Sequence, residues 1–187
     1  MGRIKVLNNI MKQKFIDYFM DIATRTSKLS YAKRRQVGAV IVKGNQILSS
    51  GYNGMPSGWE NKCETKEWMK LENPDFYSQK DIEEKWPYIE YSDIDDSPIG
   101  RYCLKSKPEV MHAERNAIDK VASSNESTLG AVMFTTHAPC LDCAKSIYNT
   151  GITDVYYKEE YRSNDGINFL KKTGVHVHKY ITPETSV

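Results

Sequence analysis

Two short clusters limit what this chain can fold into: His112-Ala113-Glu114 and, further on, Pro139-Cys140-Leu141-Asp142-Cys143. One imidazole and two thiols are three ligands of the kind that hold zinc, so the fold must carry two distant segments to one point. A structural zinc is normally closed by four protein ligands, whereas three predict a site whose fourth place is left to water. Glu114 is then a carboxyl beside the metal and not on it.

A Cys-x-x-Cys pair can also be a redox pair, but redox chemistry has no use for an upstream His-x-Glu, which favours zinc at His112, Cys140 and Cys143. Cys63 and Cys103 each stand alone and read as free thiols. A second metal site would have to draw on His137, His176 and His178, the remaining histidines.

The 187 residues are 40% hydrophobic and 27% charged. That balance predicts a single globular domain over residues 1–187, with an insertion at about 59–108. The start of the chain lacks the apolar run of a secretory leader and no segment has the length of a membrane span, so a cytoplasmic protein is expected. The net charge of +2 hides a division: residues 1–35 hold nine Lys or Arg against two acids, and residues 60–96 hold twelve acids against five bases. The basic part suits phosphate and the acidic part repels a long polyanion, so a small phosphorylated ligand is expected over a polynucleotide.

Phe15, Tyr18, Phe19, Ile22 and Ala23 recur at helical spacing and predict a helix over 12–29. A hairpin follows, with strands at 37–42 and 46–50 around Lys43-Gly44-Asn45. From Gly51 to Pro108 the periodicity is lost, and the segment reads as a long insertion with one short helix. Beyond it the pattern predicts helix 110–122, strand 131–136, helix 141–150, strand 153–157, helix 166–173 and strand 175–180. Right-handed crossovers would place these helices on a shared sheet, giving an α/β fold of three layers, α/β/α, whose first two strands are antiparallel.

Both clusters then fall at helix starts, where unpaired N–H groups and the dipole favour thiolates. Cys140 and Cys143, three apart, share a helical face. His112 and Glu114 lie about 200° apart on an ideal helix, so the carboxyl faces water and substrate while the imidazole faces the metal. Glu114 can take a proton from water, pass it to a ring nitrogen and later to departing ammonia, provided that burial moves its pKa toward neutrality against the pull of the cation. The N–H of Ala113 is placed to hold a substrate carbonyl. For phosphate the candidates are Arg25, ending the first helix, and Tyr161 with Arg162, which follow the fourth strand at the end where α/β ligands bind. His137 is a candidate for the base pocket, or else a structural histidine of the loop.

The pairing of His-Ala-Glu with Pro-Cys-x-x-Cys is similar to the signature of the cytidine and deoxycytidylate deaminases, itself the general signature of zinc deaminases. Three further blocks resemble that family: Gln36 to Val42, Gly51-Tyr52-Asn53-Gly54-Met55-Pro56-Ser57-Gly58, and His112 to Ile118. The long insertion and the run Thr135 to Cys140 resemble phage-type members, for which the cytoplasm would be the host's. The resemblance implies a cytidine-deaminase-like fold with a central mixed five-stranded sheet, one catalytic Zn2+, and hydrolysis of dCMP to dUMP and ammonia for thymidylate synthesis. It also implies that Asn53 hydrogen-bonds the deoxyribose, that its loop helps form an effector site, and that a homohexamer is activated by dCTP with Mg2+ and inhibited by dTTP. Some relatives carry extra Cys and His around the insertion for a structural zinc, where this chain offers Cys63. The segment 29–35 is longer and more basic than in many relatives, which leaves the alignment of Arg25 open. Two rivals remain: a deaminase acting on a base in RNA or DNA, which needs a basic aromatic channel, and a non-catalytic zinc module, which would tolerate Glu114→Gln.

Overall fold

The computed structural model describes residues 11–70 and 77–182. In chain order the elements are α1 (Gln13–Ser27), β1 (Gly38–Lys43), β2 (Gln46–Tyr52), β3 (Glu64–Trp68), α2 (Gln79–Lys85), β4 (Tyr88–Tyr91), β5 (Pro98–Ser106), α3 (Ala113–Ala122), β6 (Val132–His137), α4 (Leu141–Asn149), β7 (Asp154–Glu159), α5 (Asp165–Lys172) and β8 (His176–Lys179). They fall into two compact units. One takes the chain before residue 32, Gln36–Gly54 and the chain after residue 110; the other takes Ala32–Arg35 and Met55–Val110.

The first unit is built on a five-stranded sheet of order β2-β1-β6-β7-β8. β1 runs antiparallel to β2 and β6, while β6, β7 and β8 are parallel. Alternation along β1 explains the layers, because successive side chains leave opposite faces of a strand. Val40 and Val42 pack with Phe134 of β6 against Phe19, Met20 and Ala23 of α1. Ala39 and Ile41 face the other way, with Met133, Val155 and the apolar stripes of α3, α4 and α5. Helices therefore cover both faces of a mixed sheet, the α/β/α arrangement that the sequence predicts.

One boundary differs in a way that matters for the site. The helix expected from Val110 begins only at Ala113, and His112 before it is extended, with φ −75° and ψ 151°. The cause is nonlocal: Met111 forms an isolated bridge with Gly54, exchanging N–H···O bonds of 3.1 and 2.9 Å.

The second unit corrects the expectation of an irregular insertion with one short helix. It contains an antiparallel sheet of order β3-β5-β4 besides α2. Trp68, Tyr102 and Tyr88 stand opposite one another across its three strands. Adjacent ring centroids in that row are both 5.4 Å apart, the spacing at which aromatic pairs attract. α2 starts with a capping box between Ser78 and Asp81. Cys63 is buried, and the Glu64 carboxylate accepts the backbone N–H groups of Lys33 and Arg34.

Candidate active site

Two helix starts meet in the first unit. α3 is pressed onto β2 at Gly51, where a Cβ would lie 2.3 Å from the Ala113 carbonyl oxygen and 2.6 Å from the Ala117 nitrogen. Only glycine lets the first turn of α3 come so close. Cys140 is the N-cap of α4, its Sγ accepting the Cys143 N–H at 3.5 Å. α5 in turn approaches the Pro139–Cys140 peptide at Gly166, where a Cβ would sit 2.1 Å from the Pro139 oxygen. Close contacts between backbones thus fix both segments that carry the candidate ligands.

The three side chains converge as their chemistry requires. His112 Nδ1 lies 3.5 Å from Cys140 Sγ and 3.3 Å from Cys143 Sγ. All three ligand atoms lie within 4.8 Å of one another. In a tetrahedral zinc site, bonds of about 2.3 Å to sulfur and about 2.0 Å to nitrogen set S···N at about 3.5 Å, so these donors fit the ion with little adjustment. The nitrogen facing the sulfurs is Nδ1, a detail beyond the reach of sequence. Cys143 is buried and Cys140 half-buried, while His112 reaches solvent.

The thiols show why a cation belongs between them. The Cys143 side chain holds Cys140 down to about 4 by hydrogen bonding, helped by His112 and the Cys143 N–H against the effect of burial. The same shared proton, with burial, pushes Cys143 far up. Two sulfurs this close compete for one proton, and a divalent cation in its place allows both to ionise. Hydrogen bonding to Cys140 raises His112, with burial working against it.

Glu114 is 4% exposed. Burial raises its pKa above the usual carboxyl range, opposed by its own backbone N–H, by His112 and by a hydrogen bond with Cys143. The direction is the one a proton carrier needs. It follows from the extended His112: α3 starts one residue later, so Ala113 and Glu114 occupy its first turn, turned inward. As the first residue of the helix, Ala113 has an N–H without an intrahelical acceptor.

Asn53 stands on the loop that bridges to Met111. Its Oδ1 accepts the Val37 N–H at 2.7 Å and its carbonyl accepts the Ser30 hydroxyl at 2.7 Å. Asn116 of α3 pins the same loop by donating to the Tyr52 carbonyl at 2.8 Å. His137 closes β6, with Nδ1 3.2 Å from the Thr136 hydroxyl and Nε2 3.2 Å from the Glu159 carboxylate. Tyr161, with Tyr157, Asn164, Asn168 and Lys171, lines a cavity of about 330 Å³ between the end of β7 and α5, and Arg162 lies over the Tyr161 ring at 5.4 Å. Arg25 ends α1 as expected, but its guanidinium is exposed and bonded to Asp21 at 2.9 Å. Gly166, Ser30 and Asn116 support these residues; sequence reasoning passed over them because their partners lie far away along the chain.

Fold and site together define a three-layer α/β/α protein with a His/Cys/Cys metal centre beside a buried glutamate. The sequence matches the family described as "Cytidine and deoxycytidylate deaminase zinc-binding region" over residues 13–159. The deoxycytidylate deaminase of Enterobacteria phage T4 is 32% identical over 169 residues, covering 84% of this chain and 86% of the phage protein. That of Schizosaccharomyces pombe is 28% identical over 180 residues, covering 96% of this chain but 48% of the yeast protein, so the chain spans about half of that relative. The crystal structure of dCMP deaminase from the cyanophage S-TIM5 in complex with dCMP and dUMP aligns with a TM-score of 0.68 at 37% identity, covering 91% of this chain and 99% of that one. The chain belongs to the cytidine and deoxycytidylate deaminase family.

Proposed function

We propose that the chain catalyses hydrolytic deamination of dCMP to dUMP and ammonia, supplying dUMP for thymidylate synthesis. The observation that carries this reading is a buried carboxyl, Glu114, set against a donor set that closes three of four zinc positions. Support for the nucleotide comes from relatives: the T4 protein bears the name of the activity, and the S-TIM5 enzyme is described with dCMP and dUMP bound.

Zinc held by His112 Nδ1, Cys140 and Cys143 would supply the Lewis acidity that lets water lose a proton near neutral pH. Glu114 then does the proton work. As a carboxylate it takes the proton of the attacking water; as an acid it gives that proton to the ring nitrogen next to the reacting C4 of cytosine. The carboxylate then takes the remaining proton from the oxygen added at C4 and passes it to the amine, which leaves as ammonia as the C4–N bond breaks and the C4 carbonyl forms, so Glu114 ends as it began. The Ala113 N–H is assigned to a base carbonyl, the Asn53 amide to the sugar, and Tyr161 with Arg162 to the phosphate end. His137, tied to Thr136 and Glu159, is assigned to the wall of the base pocket. Arg25, committed to Asp21, is the weakest of the phosphate candidates. Regulation by dCTP with Mg2+ and by dTTP, and assembly as a homohexamer, complete the proposal on the strength of the family resemblance.

Among the described residues no helix is long and apolar enough to cross a membrane. The rival that edits a polynucleotide would use cations beside aromatic rings: Lys85 lies over Trp86 and Arg162 over Tyr161, while Lys66, over Tyr102, is ion-paired with Glu90. An ultraviolet assay of dCMP, CMP, deoxycytidine and a deoxycytidine-containing oligonucleotide, each with and without dCTP, tests the proposal. Turnover of dCMP above the other three is expected; turnover of the oligonucleotide alone would overturn the substrate.

A further inference from the structure

β7 and β8 end the sheet, and on the face they share with α1 they carry a second group of metal-binding side chains. Side chains of alternate residues leave the same face of a strand, so His176 and His178 stand side by side on β8. In the parallel register Asp154 lies opposite His176, and Tyr156 lies opposite His178. The face is that of α1, because the Tyr156 ring stacks on Phe134 at 5.0 Å and packs with the α1 cluster. Among the described residues α1 packs mainly on β1, β2 and β6, and the side chains of Asp154, His176 and His178 are 28%, 58% and 43% exposed.

Asp154 is the pivot of the group. His176 Nδ1 and His178 Nε2 each lie 3.3 Å from the same oxygen, Asp154 Oδ1. Two nitrogen or oxygen ligands of a tetrahedral metal stand about 3.3 Å apart, given bonds of about 2.0 Å. Both histidine–aspartate pairs therefore already have the separation of two ligands on one ion. The imidazoles are less close to each other, with centroids 6.5 Å apart. The His178 ring is held by stacking on Tyr156 at 4.5 Å, whereas the His176 side chain is 58% exposed and has room to turn inward about its side-chain bonds.

We propose that Asp154, His176 and His178 form a second metal site, separate from the His/Cys/Cys centre, that takes a borderline transition-metal dication such as Ni2+, Cu2+ or Zn2+. Two imidazoles and a carboxylate suit ions of that class, and no thiolate is present to demand a softer one. The site lies on a sheet edge, so its remaining positions are filled by water, and its affinity is lower than that of the centre with two thiolates. It does not depend on the deaminase reading.

The test uses the full chain with zinc already in the His/Cys/Cys centre. After dialysis against Ni2+, elemental analysis should find one nickel per chain with the zinc undiminished. His176→Ala/His178→Ala should take up no nickel while keeping its zinc, and Asp154→Asn should bind nickel at least roughly tenfold more weakly, the effect that disturbing a ligand's supporting bonds already has elsewhere. Thermal unfolding without nickel verifies that the variants are folded. If the double variant does not fold, selective broadening of the His176, His178 and Tyr156 proton resonances by Ni2+ in the unaltered protein replaces it. The proposal is overturned if nickel enters only as zinc leaves, if the double variant binds nickel as well as the parent, or if Asp154→Asn changes nothing.

Discussion

In the five-stranded sheet, Ala39, Val40, Ile41 and Val42 of β1 are all fully buried, whereas in the three-stranded sheet Trp68 and Tyr88 remain 41% and 40% exposed. One sheet is closed on both faces by helices and held by aliphatic burial; the other is held by a row of half-open rings and an ion pair. The difference shows which parts of the molecule are bound to one geometry. Burial on both faces of the first sheet leaves little room to shift, so the helix starts resting on it hold His112, Glu114 and the two cysteines in place. The second sheet has no such demand and should tolerate polar substitution at the exposed positions of its strands.

The largest expected effect is at Glu114. Glu114→Gln keeps the shape and the metal ligands but removes the proton carrier, so kcat should fall by about 10²- to 10⁴-fold with zinc content unchanged. Loss of zinc in this variant would show that the carboxyl is a ligand. Stability should move the other way in the metal-free protein. A carboxyl whose folded pKa is raised binds protons more tightly in the native state, so it costs stability increasingly as pH rises from the unfolded carboxyl value, about 4.3, through the raised folded value. The glutamine variant avoids that cost. Its unfolding temperature should therefore exceed the parent's at neutral pH and match it in acid.

A core substitution in each sheet sharpens the contrast. Phe134 is fully buried between Phe19 and Tyr156, so Phe134→Ala should cost about 3–5 kcal/mol by opening a cavity. Trp68→Ala removes a half-exposed ring that packs at a tilt against Tyr102 and should cost about 1–2 kcal/mol. Denaturant unfolding of both variants measures the ratio, and equal losses would erase the distinction between the sheets.

The same contrast explains what sequence could show. β1 was legible because Val37 to Val42 is an unbroken β-branched and small apolar run, and α1 because Phe15, Tyr18, Phe19, Ile22 and Ala23 recur at helical spacing, although the buried face proves to be Ile16, Phe19, Met20 and Ala23, with Tyr18 exposed. The strands of the second unit were not, since Glu64-Thr65-Lys66-Glu67-Trp68 exposes both faces and carries no alternation to read. The three zinc-binding residues and Glu114 were visible as types at a spacing. Their geometry was not, because the extended His112 depends on the bridge from Met111 to Gly54, and the seat of Cys140 on a glycine in α5. The carboxylate partner of His137, Glu159, pairs with it only across the β6–β7 register.

The smallest expected effect is at Lys66, and it probes how the open sheet is held. Its ammonium lies 4.8 Å from the Tyr102 ring and 5.7 Å from the Trp68 ring while pairing with Glu90. An ion pair open to water is largely screened, and a cation over exposed rings contributes little more, so Lys66→Met should cost about 0.5–1 kcal/mol. Salt separates the two contributions. If pairing with Glu90 dominates, the difference between parent and variant should shrink as ionic strength rises, because the Debye length falls from about 10 Å at 0.1 M to about 3 Å at 1 M. If contact with the rings dominates, hydrogen exchange of the β5 amides should stay faster in the variant at every salt concentration, and exchange in β1 should not change in either case.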